Sequence, residues 1–541
     1  MPDTSLPSDL SFGSFTESGP WTLDPERIEW LPQTAALRTR NHASVPELIR
    51  RRRIPPARRV LGTGYRLGSA ILLWRLIERR SGGSNSRRGL SRRLRRAFEA
   101  LGPTYIKLGQ IISAGEGLFP EELVSEFRLL RDHVTPEPFA TVRATIESDL
   151  HQPLEAIFSH FERTPLAAAS IAQVHRATLR TGQEVVVKVQ RASVSTLVRR
   201  DLAAMAWIAP QLIGRIPVAA LANPPAFVEL FADTIVEELD FRLEAANMLD
   251  IAKILATTDQ RALVVPRPHP RYVTRRVLVM ERLQGFVWDD VDAMHEAGID
   301  TTKVLRAAMV SFLEGATVHG VFHGDLHGGN LLVLPDGSVG LLDFGMTGRL
   351  PERKRLAFLR MLLGGTVNNV AMQVSALCDL GALPSDTNVP EIISELGLDK
   401  PAVDPTQMSP EQLLAEIREI TKSLLEYGAT LPKELMLFVK NMLFLNASIA
   451  VLAPDIDLFG EISYLVAYFT SKYGQVFSQE LGMDVTQTAL DLDGVRNSLG
   501  LDAEVSSITY RELQERREVI RKRMEEHRQR SRRRLLGRAK S

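Results

Sequence analysis

The chain has almost no cysteine, almost no net charge and no long uninterrupted hydrophobic run. Cys378 is the only cysteine among 541 residues, which excludes an intramolecular disulfide and a multi-cysteine zinc or iron–sulfur site. A formal net charge of +1 gives no overall attraction to nucleic acid, so electrostatic recognition has to come from local patches. We therefore expect no nucleic-acid partner and a reducing, cytoplasmic setting.

Targeting and membrane-spanning patterns are also missing from the sequence. The first 20 residues lack the basic region and apolar core of a secretory signal and the arginine-rich character of a transit peptide. The most apolar regions, 203–232 and 451–469, are interrupted by proline and charged residues and fall short of the roughly 18 apolar residues of a spanning helix. Attachment to the inner face of a membrane would then be peripheral.

What is present is a large globular chain of uneven composition, 44% hydrophobic and 24% charged, which can bury more than one core. Short β-branched runs alternate with helical patterns in its middle, and helical patterns dominate afterwards, so we predict an α+β fold. We divide the sequence into a disordered N-terminus (1–45), a basic amphipathic segment (46–97), a helical extension (98–152), a small mixed lobe (153–285), a larger helical lobe (286–450) and a helical C-terminal region with a basic tail (451–541).

Arginines crowd residues 50–96 of the basic segment. The apolar residues Leu67, Ile71, Trp74 and Ile77 recur among them at three- and four-residue spacing, which is typical of an amphipathic helix. Two interpretations fit this pattern equally well. The helix packs on the main domain with a solvated arginine face, or it binds an anionic membrane surface or an acidic partner.

The catalytic candidates concentrate in "VFHGDLHGGNLLVLPDGSVGLLDFG", residues 321–345. Asp325 and Asn330 lie five residues apart on a predicted loop, and a hairpin turned at 335–337 is short enough to bring Asp343 beside Asn330. Phosphoryl transfer needs divalent ions on the phosphates and a carboxylate that orients the nucleophile. We predict Asn330 and Asp343 as ligands of Mg²⁺ or Mn²⁺ and Asp325 as the catalytic carboxylate.

A zinc site is the competing interpretation of this segment. His319, His323 and His327 are four residues apart and would line one face of a helix. That helix would have to contain several glycines, each costing about 1 kcal/mol relative to alanine in a helix interior. We expect instead that the histidines hold the loop by hydrogen bonds.

A second candidate is Lys188 in the predicted strand "EVVVKVQ". Its valine neighbours indicate burial, and a buried ammonium needs an acidic partner. Glu238 is the first candidate for that partner, with Glu237 and Glu244 left open. The preceding stretch "PLAAASIAQVHRA" has alanines where a phosphate loop would have glycines, so it is either an altered phosphate loop or a helical, alanine-rich turn.

Three further stretches complete a pattern that resembles the UbiB-like, or aarF-domain, atypical kinases from Phe98 to Leu445. "LGPTYIKLGQIIS" is similar to that family's KxGQ signature, "AAASIAQVH" to its alanine-rich phosphate loop, and "EELDFRLEAAN" to its ExD segment, with Glu238 and Asp240 in the motif positions. The resemblance implies a bilobal protein-kinase-like fold with the KxGQ helices added ahead of a kinase-like N-lobe and C-lobe. It also implies that the alanine stretch is an altered phosphate loop.

The resemblance further implies the residues of the site. The catalytic group is Asp325, Lys188, Glu238, Glu244, Lys107 and Gln110. The nucleotide-binding group is Ala167, Ala168, Ala169, Ser170, Lys188, Met280 and Glu281. Lys107 and Gln110 would reach into the cleft where a peptide substrate otherwise lies, which argues against protein phosphorylation.

The function implied is an ATP- and Mg²⁺-dependent kinase or ATPase that supports isoprenoid quinone biosynthesis or lipid handling at a membrane, with a quinone precursor or lipid as partner. A homodimer is left open. One alternative, a small-molecule phosphotransferase of the aminoglycoside or choline kinase type, lacks the KxGQ and alanine-loop patterns. The other, a pseudokinase scaffold, is disfavoured by the full set Lys188, Asp325, Asn330 and Asp343. The chain has Gly328 where the family usually has proline.

Overall fold

The computed structural model describes the chain in segments that form two compact units. The described residues are 8–50, 56–79, 83–114, 120–130, 135–211, 224–258, 262–367, 369–398, 427–429, 432–486, 491–498, 501, 504–519 and 522. Unit 1 comprises Met1–Trp288, Phe322–Gly348 and Met436–Asn441, and unit 2 comprises Asp289–Val321, Arg349–Leu435 and Met442–Ser541. The predicted basic tail at 523–541 lies outside the described residues.

Unit 1 is a mixed unit whose helices precede and flank its main sheet. Its helices are α1 (Ser8–Phe12), α2 (Thr34–Leu48), α3 (Ala57–Ile77), α4 (Gly83–Leu101), α5 (Pro103–Ala114), α6 (Glu121–Phe127), α7 (Phe139–Leu150), α8 (Leu154–Ile157), α9 (Val194–Ile208), α10 (Pro224–Glu238) and α11 (Phe241–Thr257). Its strands are β1 (Phe158–Phe161), β2 (Ala167–Ala168), β3 (Ala172–Leu179), β4 (Glu184–Gln190), β5 (Leu263–Val264), β6 (Pro268–Val273), β7 (Val277–Glu281), β8 (Phe286–Val287), β9 (Val321–His323), β10 (Leu331–Val333), β11 (Val339–Leu341) and β12 (Thr347–Arg349). The first residue of β9 and the last residue of β12 belong to unit 2.

The main sheet is antiparallel and has the order β1-β3-β4-β7-β6, with β2 paired to β3. Alternate residues of β4, including Val185, Val187 and Val189, are fully buried against Ile146 of α7 and the rest of one apolar core. A second sheet has the order β5-β11-β10-β8, and β9 pairs with β12. The α+β prediction is confirmed, and the main sheet holds β4 rigidly in its centre.

The expectation of a disordered segment over 1–45 is wrong from residue 8 onward. This segment forms α1, two short 3₁₀ turns and most of α2, and it buries the apolar side chains Leu10, Phe15, Leu23, Ile28 and Trp30. Asp9 forms an ion pair of 2.6 Å with the buried Arg267. Composition misled here because a few well-spaced apolar residues are enough to attach a Ser/Pro-rich stretch to an existing core.

The basic segment contains two helices whose arginines are in different environments. Four of the six arginines of α4 are in ion pairs: Arg87 with Glu122, Arg92 and Arg93 with Glu78, and Arg95 with Glu126. On α3 Arg59 pairs with the buried Asp201, whereas Arg66 and Arg75 have no ion-pair partner among the described residues.

The spacing grouped four apolar residues on one face of α3, but only two of them are partly buried in the structure. Leu67 and Trp74 are partly buried, and Trp74 Nε1 donates to Ser86 O at 2.9 Å. Ile71 and Ile77 are exposed, as predicted for a surface-binding helix, together with a neighbouring set on the solvent side: Leu61, Tyr65, Leu72, Leu73 and Leu76. The helix therefore presents more apolar surface to solvent than a solvated arginine face would.

Unit 2 is helical. Its elements are α12 (Val291–Glu296), α13 (Thr301–Glu314), a π-helical turn (Gly315–His319), α14 (Glu352–Thr366), α15 (Val370–Leu380), α16 (Val389–Glu395), α18 (Leu458–Leu481) and α19 (Leu492–Ser498). The long helix α17 (Lys433–Leu452) contributes residues to both units. Among the described residues it alone is long and apolar enough to cross a membrane, but half of its apolar window is buried inside the protein, as in a core helix.

Candidate active site

The predicted catalytic loop lies in unit 1 and is held by its own histidines. After β9, His323 Nε2 donates to Leu342 O at 3.1 Å, and its Nδ1 accepts from the backbone of Asp325 at 3.2 Å. His327 Nδ1 accepts from Gly329 N at 3.1 Å and caps a 3₁₀ turn. The prediction that these two histidines hold the loop is confirmed. The described residues contain no cluster of three or more His, Cys, Asp or Glu side chains able to hold a metal.

The predicted hairpin brings the two metal-ligand candidates together. Strands β10 and β11 pair in the register Leu331↔Leu341, and Gly337 in the turn has φ 84°, a left-handed conformation that favours glycine. Leu342 N donates to Asn330 O at 2.8 Å. Asp343 is therefore the residue that directly follows the bonding partner of Asn330. Asp343 itself has φ 56°, which is uncommon for a residue with a Cβ and is often found at functional sites.

Lys188 on β4 is buried, as predicted, but its partner is Glu244. Lys188 Nζ lies 2.7 Å from Glu244 Oε1 and 3.1 Å from Asp343 Oδ1. Glu244 is in the first turn of α11, which is capped by Asp240. The sequence left Glu237, Glu238 and Glu244 open as the partner, and the structure pairs Lys188 with Glu244, whereas Glu238 lies before this cap, at the end of α10.

The other two glutamates have partners of their own. Glu238 Oε1 forms an ion pair of 3.1 Å with Lys107 on α5, and Glu237 Oε1 lies 3.0 Å from His42 Nε2. Within the KxGQ stretch the glycine is required by packing, since a Cβ at Gly109 would lie 2.2 Å from Leu130 Cδ1. The KxGQ helix thus delivers a lysine to the acid of the ExD segment.

A third lysine was missed by the sequence reasoning. Lys440, on the part of α17 that belongs to unit 1, forms an ion pair with Asp325 Oδ1. The next residue, Asn441, is fully buried, accepts from Leu326 N at 2.9 Å and donates to His323 O. No motif marks these two residues, which are more than a hundred positions downstream of the loop, so only the folded chain shows their role.

Burial and the lysines together set the protonation of the four acids. Burial by itself raises the pKa of a carboxyl group, but Lys440 and Lys107 outweigh it at Asp325, where the pKa is well below its usual range. At Asp343, whose side chain is only partly covered, the desolvation that would raise the pKa is outweighed mainly by Lys188, and the pKa is lowered. Burial dominates at the other two acids. It raises the pKa of Glu238 to about 7 and also raises that of Glu244.

The predicted metal ligands suit a hard divalent cation. Asn330 Nδ2 donates to Asp325 O at 2.9 Å, which leaves Asn330 Oδ1 as the atom that can act as a ligand. The Asp343 side chain is 45% exposed and ionised, so it can exchange Lys188 for a cation. An amide oxygen and a carboxylate are ligands that Mg²⁺ accepts while keeping waters and substrate phosphates.

The alanine stretch is a hairpin arm and not a helical turn. Ala167–Ala168 form β2, paired with β3 in the register Ala167↔Val174, and Ala169 N donates to Ala172 O at 2.8 Å across the turn. Ser170 is buried beside this turn. The arm leads directly into the strand next to β4, the position a phosphate loop occupies relative to its lysine.

Three predicted residues are less directly connected to the site. Met280 lies opposite Val186 on the strand next to Lys188, but the side chain of Glu281 accepts from Arg267 N at 3.0 Å and from Thr16. The backbone N–H of Glu281 donates to Arg267 O at 2.9 Å, so its predicted nucleotide contact stays a prediction. Gln110 is partly exposed on α5, and its side chain forms no hydrogen bond with another site residue in the described part of the chain. Its role stays a prediction.

Comparison with known proteins decides the family. Residues 129–376 match the model of the ABC1 atypical kinase-like domain. An uncharacterised protein of Mycobacterium tuberculosis is 34% identical over 81% of this chain and 89% of its own length. An aarF domain-containing protein kinase of the Arabidopsis thaliana chloroplast is 30% identical over 68% of this chain and 72% of its own, and a probable protein kinase UbiB of Sodalis glossinidius is 30% identical over 73% and 72%.

The chain belongs to the UbiB-like, aarF-domain family of atypical kinases. The resemblance drawn from the motifs is therefore confirmed, and the fold is kinase-like. The matched domain contains Lys188, Glu244, Asp325, Asn330 and Asp343. Two of the three lysines of the site, Lys107 and Lys440, lie outside the matched residues, before and after them.

Proposed function

We propose that this protein binds ATP with Mg²⁺ or Mn²⁺ and is an atypical kinase or ATPase. The observation that supports this best is the position of Lys188, which bridges Glu244 at 2.7 Å and Asp343 at 3.1 Å. A strand lysine paired with a helix glutamate beside the metal-binding aspartate is the arrangement that phosphoryl-transfer enzymes of the kinase type use.

Each residue has a defined part in this proposal. Lys188 holds the phosphates, Asn330 and Asp343 hold the metal ion, and Asp325 orients the acceptor hydroxyl or water. The metal ion, when bound, would neutralise the charge that develops on the transferred phosphoryl group. The arm Ala167–Ala169 covers the phosphates, and its methyl groups restrict φ where glycines would approach more closely.

The acceptor is proposed to be a small molecule, or water, and not a protein. Lys107 sits on a helix ahead of the kinase-like domain and is bound to Glu238, within the same group of acids as Asp325 and Asp343. A helix in that position competes with a peptide for the acids of the site. Because several relatives are named UbiB, we propose a role in isoprenoid quinone biosynthesis or lipid handling.

A change at Asp343 tests the nucleotide and metal assignment. ATP should raise the melting temperature of the wild type in Mg²⁺ and much less in EDTA, because ligand binding to the folded state adds its free energy to stability. Asp343→Asn should lose most of the Mg²⁺-dependent part. Asp336→Asn, in the exposed hairpin turn, is the matched control and should behave as the wild type. An equal Mg²⁺-dependent shift in Asp343→Asn would overturn the metal assignment.

We further propose that α3 binds the surface of an anionic membrane peripherally, on the cytoplasmic side. This helix contains no acidic residue and exposes Leu61 (71%) and Tyr65 (77%), and its Arg66 and Arg75 form no ion pair with any residue that the structure describes. Basic residues near an anionic surface contribute about 1 kcal/mol each, and apolar side chains add shallow insertion.

Co-sedimentation with vesicles tests this surface. Wild type should pellet with anionic vesicles, less at high salt and little with neutral vesicles. Arg66→Glu/Arg75→Glu and Leu72→Ser/Leu76→Ser should each weaken pelleting, the first mainly at low salt. Arg353→Glu/Arg517→Glu, at two exposed arginines of unit 2, is the charge-matched control for the arginine variant. If the helix variants pellet as the wild type does, α3 is not the contact surface, and association of two copies through α3 becomes the question for sedimentation analysis.

The two alternatives are weaker. A phosphotransferase of the aminoglycoside or choline kinase type does not account for the ion pair between Lys107 and Glu238. A pseudokinase scaffold does not account for the close grouping of Lys188, Glu244 and Asp343 in one site. Metabolite and lipid profiling of a deletion strain would identify the pathway.

A further inference from the structure

Three lysines from three separate elements meet the acids of the site, and each has its own acid. Lys188 of β4 contacts Glu244 and Asp343, Lys107 of α5 contacts Glu238, and Lys440 of α17 contacts Asp325. The first two belong to the motifs of the sequence. Lys440 does not, although it contacts the residue proposed to orient the nucleophile.

The position of Lys440 is fixed by its neighbour. Asn441 bonds to the loop on both sides of Asp325, through Leu326 N and His323 O, and is fully buried. The backbone of α17 is therefore anchored to the catalytic loop at one residue from Lys440. The Lys440 side chain is 22% exposed and carries a flexible four-carbon stem, so its ammonium can move while its backbone stays in place.

The charges of the site favour such a movement when nucleotide arrives. Without ligand the three lysines face four carboxyl groups, so each ammonium is needed where it is. ATP and one divalent ion together add net negative charge. The ammonium groups then gain more by contacting phosphate oxygens than by staying on carboxylates.

We propose that Lys440 is a phosphate-contacting residue of this site. It neutralises Asp325 in the free protein, and it moves to the terminal phosphate of ATP in the loaded protein. The transferred phosphoryl group lies next to the aspartate that orients the nucleophile, so a lysine bonded to Asp325 is close to that phosphate. Its departure frees Asp325 to accept the hydrogen bond of the acceptor. This inference rests on the proposed nucleotide binding.

The test compares ATP with ADP, since only ATP has the phosphate assigned to Lys440. Dissociation constants in Mg²⁺ are measured by calorimetry for the wild type, Lys440→Met and Lys440→Arg. Lys440→Met should weaken ATP about tenfold or more and ADP by less than about threefold, because one charge-assisted hydrogen bond to the terminal phosphate is lost. Lys440→Arg should restore most of the ATP affinity. Lys253→Met, at an exposed lysine of α11, is the matched control.

A second background separates phosphate contact from simple neutralisation of Asp325. In Asp325→Asn the acid no longer needs a cation, so a lysine that only neutralises it becomes dispensable. The proposal expects Lys440→Met to weaken ATP in this background as well. No further loss in Asp325→Asn/Lys440→Met, or equal weakening of ATP and ADP, would overturn it.

The two proposals fail in different ways. If the wild type binds neither nucleotide, the proposed function is wrong and Lys440 has no phosphate to contact. If the wild type binds ATP and Lys440→Met binds it equally well in a folded protein, only the role of Lys440 is wrong. Should Lys440→Met fail to fold, Lys440→Arg and Lys440→Gln in the Asp325→Asn background carry the same comparison.

Discussion

Two buried glutamates, one in each unit, differ in the number of their hydrogen-bond donors and in the elements that supply these donors. Among the residues that the structure describes, Glu238 in unit 1 pairs with one lysine, Lys107, at 3.1 Å. Glu314 in unit 2 has three donors on one oxygen: Tyr468 at 2.6 Å, Tyr473 at 2.8 Å and Lys472 at 3.1 Å. The three donors of Glu314 all come from one helix, α18, whereas the lysines near Glu238 come from separate elements.

The difference shows which of the two clusters can change partners. Donors on one helix keep their spacing, so the cluster of Glu314 has one arrangement, and it fastens α13 to α18. Under the proposed nucleotide binding, lysines on separate elements would each exchange a carboxylate for a phosphate independently of the others. We infer that the cluster of Glu314 with Tyr468, Tyr473 and Lys472 stabilises unit 2. The pair of Glu238 with Lys107, by contrast, is expected to rearrange when a ligand binds.

The pKa values of the groups around the two glutamates support the same distinction. Burial and the bonds to Glu314 raise the pKa of both Tyr468 and Tyr473, so these hydroxyls stay donors over the whole physiological range. Burial lowers the pKa of Lys472, whereas its hydrogen bonds to Tyr468 and Glu314 and the charges nearby raise it. Together these partners have the larger effect, so the pKa is raised. Glu238, with one donor, has its pKa raised to about 7 by burial, so it changes charge near neutral pH.

The largest expected effect in this comparison is on stability at Glu314. Glu314→Ala removes the carboxylate that Lys472 and two tyrosines share as an acceptor, and breaking a buried pair by removing one partner costs roughly 3–5 kcal/mol of unfolding free energy. Glu314→Gln keeps an acceptor oxygen and should cost less. Denaturant unfolding of the three proteins measures both.

The Mg²⁺–ATP shift in melting temperature is the matching functional readout. It should be the same in Glu314→Gln as in the wild type, because the three donors to Glu314 are Tyr468, Tyr473 and Lys472, which are not residues of the candidate active site. Loss of the shift in a folded Glu314→Gln protein would contradict the division between a stabilising cluster and a responsive one.

The sequence predicted the parts of the site that lie close together in the chain. Asn330 and Asp343 could be paired in advance because a short hairpin allows one register, and the valines around Lys188 indicated its burial. The partner of Lys188 could not be chosen, since Glu238 and Glu244 are both at plausible positions and only the cap of α11 at Asp240 separates them.

Long-range packing accounts for most of what the sequence did not reveal. Lys440 and Asn441 reach the catalytic loop only after the chain has passed through unit 2, and an apolar helix with a lysine in its interior looks like any core helix. The same holds for residues 8–45, whose few apolar side chains find their core elsewhere in unit 1. On α3 periodicity indicated an amphipathic helix but not which of its apolar residues would face solvent.

The smaller expected effect is the pH dependence of stability that Glu238 contributes. The folded protein holds the Glu238 proton up to pH about 7, and the unfolded chain releases it near the ordinary value of 4.5. Between these values the folded state binds more protons, so its stability falls as pH rises, by roughly 3 kcal/mol at most.

Glu238→Gln should remove this part of the fall. Glu229→Gln, at an exposed glutamate of the same helix, should keep it. Unfolding free energies of the three proteins from pH 4.5 to 7.5 measure the difference, and parallel curves for the wild type and Glu238→Gln would mean that Lys107 keeps Glu238 ionised throughout. The comparison of the two glutamates would then rest on the number of their donors alone.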